Sequence, residues 1–104
     1  MLYAALDRLN AARGFTMLIT GDAQGADTLA KHWAQDRGIR TRIFVADWGR
    51  YGPAAGPIRN ERMLKQGRPD LVVAFPGGTG TANMTALARA AGVAIVRPRK
   101  SGAG

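Results

Sequence analysis

The segment Pro76-Gly77-Gly78-Thr79-Gly80-Thr81 constrains the fold most. It follows an apolar run, Asp70 to Phe75, with the length and β-branching of a buried strand. It precedes an alanine-rich run, Thr81 to Ala91, that reads as a helix. Glycines between a strand and a helix leave backbone N–H groups bare and aimed at one point. The positive end of the helix dipole is aimed at the same point, which suits a phosphate or another anion. No Gly-Lys-Ser/Thr follows, so the loop is not a P-loop, and the spacing is not that of the dinucleotide fingerprint.

The rest of the chain repeats the strand, glycine turn and helix. Leu2, Ala5, Leu6, Leu9 and Ala12 keep helical spacing up to Gly14. Thr16 to Thr20 reads as a short buried strand, and Gly21 and Gly25 bracket a turn. Ala26, Leu29, Ala30, Trp33 and Ala34 form a helical stripe that stops at Gly38. Arg40 to Ala46 reads as a strand and Asp47 to Gly56 as a loop. A helix then starts with Pro57 in its first position and ends at Gly67. Val93 to Val96 is the last strand. Helices alternate with apolar strands, and each connection is long enough for a parallel crossover. The expected fold is α/β, a doubly wound parallel sheet of about four strands. Residues 1–98 are expected to form one domain and 99–104 a frayed basic, glycine-containing tail.

In such a sheet ligands bind beyond the carboxyl ends of the strands. Three loops belong there: 21–25, 47–57 and 76–80. In the last, Gly77, Gly78, Thr79, Gly80 and Thr81 are candidate phosphate ligands, and Thr81 is also a candidate helix cap. In the first, Gly21, Gly25 and Asp27 are candidates. Asp27 either meets a ribose hydroxyl or ligand nitrogen, or only complements its own helix dipole. Arg59 falls in the first turn of its helix, where a cation is unfavourable unless an anion accompanies it. Asn60 lies at the edge of that helix's apolar face and needs a backbone or ligand partner. Arg62, one position off the face, is expected in solvent. Asp47 stands at the carboxyl end of its strand as a polar contact. Trp48 and Tyr51 either stack on a base or pack onto their own domain. His32 is expected in solvent and Trp33 in the core.

The bulk properties limit the alternatives. At 104 residues the chain buries roughly 65% of its unfolded surface, enough for one modest core. No apolar run approaches the roughly 20 residues that span a bilayer. Met1 leads straight into an amphipathic pattern rather than a signal peptide, so a cytoplasmic location is expected. There is no cysteine, so neither disulfides nor thiolate metal sites are available, and no cofactor or metal is called for. The net charge of +8 is compatible with a nucleic-acid partner, or simply with arginine-rich composition, since twelve arginines accompany three lysines. The charges are dispersed except at Arg97-Pro98-Arg99-Lys100.

Four ordered motifs, spread over Thr16 to Pro98, carry a family resemblance. They are Gly21-x-x-x-Gly25-Ala-Asp-Thr-Leu-Ala30, Ala46-Asp-Trp48, Ala54-Ala-Gly-Pro-Ile-Arg-Asn60 and Pro69-Asp-Leu-Val-Val-Ala-Phe-Pro-Gly-Gly-x-Gly-Thr-Ala82. Together they resemble the YspA-type, cpYpsA-related branch of the SLOG superfamily. The resemblance implies a Rossmann-like fold that binds nucleotides, nucleoside monophosphates or ADP-ribose-like ligands. Distant relatives include phosphoribohydrolases, once taken for lysine decarboxylases, and a single-stranded DNA-binding protein of transformation. The phosphoribohydrolases follow Pro-Gly-Gly-x-Gly-Thr with a glutamate that acts at the ribosyl bond. Met84 stands at that position here, whereas the arginine of their Arg-x-x-x-Met motif matches Arg59. The family also opens with a strand ahead of the first helix, which in a 3-2-1-4-5 sheet is the central one. This chain begins at the helix. Three repairs are open: direct pairing of strands 16–20 and 70–75, a partner chain in a homo-oligomer, or a start further upstream.

The leading expectation is therefore a nucleotide-type ligand bound through phosphate by a sensor or effector domain. Hydrolysis of an N-glycosidic or phosphoester bond is the first alternative. Single-stranded nucleic-acid binding is the second.

Overall fold

The expected alternation of helix and strand is present in the computed structural model, which describes residues 2–21, 25–75 and 79–98. Helix α1 spans Leu2–Arg13, strand β1 Met17–Gly21, α2 Ala26–Asp36 and β2 Arg40–Phe44. A one-turn helix α3, Trp48–Tyr51, and a 3-10 turn, Gly52–Ala54, lead into α4, Ala55–Gly67. Strand β3, Leu71–Val73, helix α5, Thr79–Ala90, and strand β4, Ala94–Val96, complete the order.

Both strand pairs are parallel, each closed by a helical crossover. In the first pair Met17 is in register with Arg40 and Gly21 with Phe44. In the second Leu71 faces Ala94 and Val73 faces Val96, and Ala74 N–H donates to the Val96 carbonyl at 2.8 Å. The four strands do not form one ladder: β1 pairs with β2 and β3 with β4, as two separate sheets. Direct pairing of β1 with β3, one of the three repairs, is not formed among the described residues. Side chains join the halves instead. Val73 and Phe75 pack against the cluster of Leu2, Leu6, Ala30, Trp33 and Ala34, and α4 packs on α5.

The faces of the first sheet follow from the alternation of side chains along a strand. Leu18 joins the α1–α2 cluster. A Cβ built on Gly67 of α4 would lie 2.9 Å from Ile19 Cδ1 and 3.7 Å from Phe44 Cε1. Leu18 and Ile19 point to opposite faces, so α2 covers one side of β1 and β2 and α4 the other. The absence of a side chain at Gly67 thus leaves room for the Ile19 terminal methyl where the helix end meets the sheet. The left-handed turn that follows is taken by Arg68, at φ 48°.

Helices α1 and α2 are held together by a polar clasp. Asp7 accepts from the Trp33 indole N–H at 2.9 Å and from Arg37 through both carboxylate oxygens at 2.9 Å. The Tyr3 hydroxyl donates to Asp36 at 3.0 Å. Trp33 is fully buried, as expected, and meets Phe15 edge to face at 6.3 Å.

Strands β2 and β3 are shorter than in the sequence reading, and three boundaries near the strand ends differ in ways that bear on the site. Loop 47–56 contains α3, because Asp47 caps it by accepting from Arg50 N–H at 3.1 Å. Helix α4 starts at Ala55, so Pro57 is its third residue. It is still tolerated, because the first-turn N–H groups have no intrahelical partner. Helix α5 starts at Thr79, which places Thr81 third and removes its role as the cap. The Thr81 carbonyl instead accepts from the Thr85 hydroxyl at 2.8 Å.

Candidate functional site

The site is organised around Arg59. Its position in the first turn and a half of α4 turns it toward β1, where Gly21 ends the strand on the α4-facing side. Gly21 has no side chain, and the guanidinium occupies the space. A Cβ built on Gly21 would lie 2.5 Å from Arg59 Nη1, 2.8 Å from its Cζ and 2.9 Å from Asp27 Oδ2. The arginine and the aspartate thus converge on one point above the strand end. Arg59 is only 8% exposed, and as the fifth residue of α4 it lies just past the first turn in which its sequence position placed it. A guanidinium this buried requires hydrogen-bonding partners. Asn60 is one: its Oδ1 accepts from Arg59 Nε at 2.9 Å.

Asn60 carries the connection on to α5. Its Nδ2 donates to the Gly80 carbonyl at 3.3 Å and to Asn83 Oδ1 at 3.0 Å. This is the backbone and side-chain partner that its place at the edge of an apolar face demanded. The first turn of α5, which includes Thr79, Gly80 and Thr81, is thereby tied to Arg59 through one amide. Asn83 was not singled out from the sequence. Its signal was a poor helix former in the interior of an alanine-rich helix, a position that favours a side-chain partner.

Asp47 lies on the other side of Arg59. Its Oδ1 caps α3, and it borders an open cleft of about 170 Å3 shared with Ala46, Tyr51, Ile58, Arg59 and Arg62. Arg62 is exposed, as expected, yet it also lines this cleft with its guanidinium 5.6 Å from the Phe44 ring centre. Tyr51 is at the cleft with Arg50 5.1 Å from its ring centre. Trp48 rests its ring edge 3.3 Å from where a Gly56 Cβ would stand and remains 59% exposed. His32 is exposed.

The structure therefore brings together Gly21, Asp27, Asp47, Arg59, Asn60 and Gly80. Gly25 serves its turn as the N-terminal cap position of α2, at a left-handed φ of 81° that favours glycine. The expected phosphate ligands Gly77 and Gly78 lie outside the described residues, as do residues 22–24 and the tail 99–104. Among the described residues there is no group of three side chains able to hold a metal ion, and no helix long and apolar enough to cross a membrane.

Comparison with known proteins bears on the same residues. The family model of the YspA, cpYpsA-related SLOG family matches residues 1–51, which contain Gly21, Asp27 and Asp47. The chain is also similar to the Gene 61 protein of Mycobacterium phage D29. The two are 31% identical over 100 residues, covering 89% of this chain and 79% of the phage protein. That similarity extends past residue 51 into the half of the chain that carries Arg59 and α5.

Proposed function

The chain belongs to the YspA, cpYpsA-related SLOG family, and on that premise we propose that it binds a nucleotide-type ligand, a phosphorylated nucleoside, as a sensor or effector domain. The observation that carries this reading is the buried Arg59 guanidinium, seated over Gly21 beside Asp27 and linked by Asn60 to the first turn of α5. A fixed cation next to the N-terminal turn of a helix is suited to an anion. Bare N–H groups supply the donors and the guanidinium supplies the charge. The two parallel strand pairs are read as halves of one Rossmann-like, doubly wound arrangement. Its strand ends at Gly21 and Asp47 then share the ligand-binding edge with α5.

In this proposal the phosphate sits at the start of α5, whose first-turn N–H groups have no intrahelical partner, and Arg59 neutralises it. Asp27 meets the ribose. The ligand is a small molecule, the location is cytoplasmic and association into a homo-oligomer is compatible with the arrangement. A hydrolytic role has less support. Met84 stands where the phosphoribohydrolase motif has its glutamate, and a thioether offers no proton-transfer group.

Thermal unfolding in the presence of nucleoside monophosphates tests the reading. A ligand at 100 times its Kd stabilises by about 2.7 kcal/mol. The expected result is a rise in melting temperature that is lost in Arg59→Lys, because an ammonium cannot reproduce the fork that reaches Asn60 while facing the ligand. No shift with any nucleotide at millimolar concentration would refute it. Release of free base in the same mixtures would favour the hydrolase instead.

A further inference from the structure

The cleft on the Asp47 side of Arg59 has a chemistry of its own. Its walls are apolar, with Ala46 and Ile58 among them, and Tyr51 brings an aromatic ring. Its volume of about 170 Å3 compares with the roughly 150 Å3 that accommodates a benzene ring, and it is open on one side. Two groups in it have spare hydrogen-bonding capacity. Asp47 uses Oδ1 to accept from Arg50 N–H, and Oδ2 has no protein partner among the described residues. The Arg62 guanidinium lies over the Phe44 ring and donates to no acceptor among the described residues. A carboxylate beside apolar walls disfavours a second phosphate. It favours a flat group that carries N–H donors.

We infer that this cleft is the base subsite of the nucleotide site and that Asp47 and Arg62 select guanine. The inference rests on the nucleotide reading above. Guanine presents two adjacent donors, N1–H and the 2-amino group, which match a carboxylate. It also presents two adjacent acceptors, O6 and N7, which match a guanidinium. Adenine, cytosine and uracil each set an acceptor beside the donor that the carboxylate would take, so one oxygen would face a lone pair. Arg59 is the common wall of the two subsites. A ligand with its phosphate at α5 and its base in the cleft would lie across it.

The test measures binding of GMP, AMP, CMP, UMP and xanthosine monophosphate to the intact chain and to Asp47→Asn. Asparagine can still cap α3 by accepting from Arg50 N–H through its amide oxygen. Its NH2 group then stands where the free carboxylate oxygen was. GMP is expected to bind the unaltered protein about 10-fold to 100-fold more tightly than AMP, the range of one well-formed bidentate pair. Asp47→Asn should reverse the order of GMP and xanthosine monophosphate, because xanthine carries a carbonyl where guanine has its amino group. Any other monophosphate matching GMP, or an unchanged order in Asp47→Asn, overturns the inference. If all monophosphates bind equally and binding is lost in Arg59→Lys, the base assignment falls and the nucleotide reading stands. If none binds, both fall.

Discussion

The Arg59 guanidinium lies where a side chain on Gly21 would have to be, with Nη1 2.5 Å from the position of a Cβ. A residue of α4 thus depends on the smallest residue of β1 for its place, and the two are 38 positions apart in sequence. Asp27 converges on the same spot, so the end of β1, the start of α2 and the start of α4 form one unit.

Gly21→Ala follows directly. The atom met first is the end of a flexible side chain, which can swing away, so the loss of stability should be small, about 1 kcal/mol or less. The guanidinium would be displaced, however, and nucleotide-dependent stabilisation should fall at least 10-fold in apparent affinity. Urea unfolding and ligand titration on the same variant separate the two effects. Equal loss in both would show that Gly21 serves the fold alone.

Asn60 is 5% exposed and joins Arg59 to Gly80 and Asn83. Asn60→Ala leaves the Arg59 Nε–H and the Gly80 carbonyl without this partner, and it should destabilise by about 1–3 kcal/mol. A double-mutant cycle with Asn83→Ala should show a coupling of about 0.5 kcal/mol or more. Additive effects would mean that the 3.0 Å contact between the two amides contributes nothing in solution.

The α1–α2 clasp sets an acid limit on stability. Hydrogen bonds from Arg37, and next from Trp33, lower the Asp7 pKa from 3.8 to about 2. A carboxylate whose pKa is depressed by folding stabilises the native state above its unfolded pKa, near 4. That contribution is lost as pH falls through about 2. Melting temperature should therefore decline between pH 4 and pH 2, and Asp7→Asn should flatten that part of the profile while lowering stability at neutral pH. An unchanged slope in Asp7→Asn would assign the acid sensitivity to other groups.

Arg68 follows α4 with φ 48° and ψ 58°, a left-handed conformation that costs a residue with a Cβ about 1 kcal/mol. The side chain is exposed. Arg68→Gly should raise stability by about 0.5–1 kcal/mol in denaturant unfolding with no change in nucleotide binding. A loss of stability would mean that the arginine makes a compensating contact in solution.

Local pattern was a reliable guide wherever one element explains a residue. Of the stripe Ala26, Leu29, Ala30, Trp33 and Ala34, the last three form the buried face of α2, because helical spacing sets them on one side, whereas Ala26 and Leu29 near the helix start are exposed. It was a poor guide where two distant elements meet. Gly67 looked only like a helix stop, yet it also lies against the Ile19 terminal methyl on β1. Arg62 looked merely solvated, yet the approach of α4 to β2 sets it over Phe44 at the mouth of a cleft. Asn83 drew no notice because its partner, Asn60, is on another helix.

By itself the sequence determined the order of elements, the parallel crossovers and the residue types at the strand ends. Each of these follows from local periodicity and from where glycine interrupts it. Only the tertiary structure decided that the strands pair two by two, and that Arg59 is buried over Gly21 rather than left in water. It also decided that Asn60 links that arginine to α5 and that Asp47 and Arg62 share a cleft. Those outcomes depend on how closely two segments approach. That distance reflects the room left at Gly21 and Gly67 and the packing between helices, neither of which has a signature along a single stretch of chain.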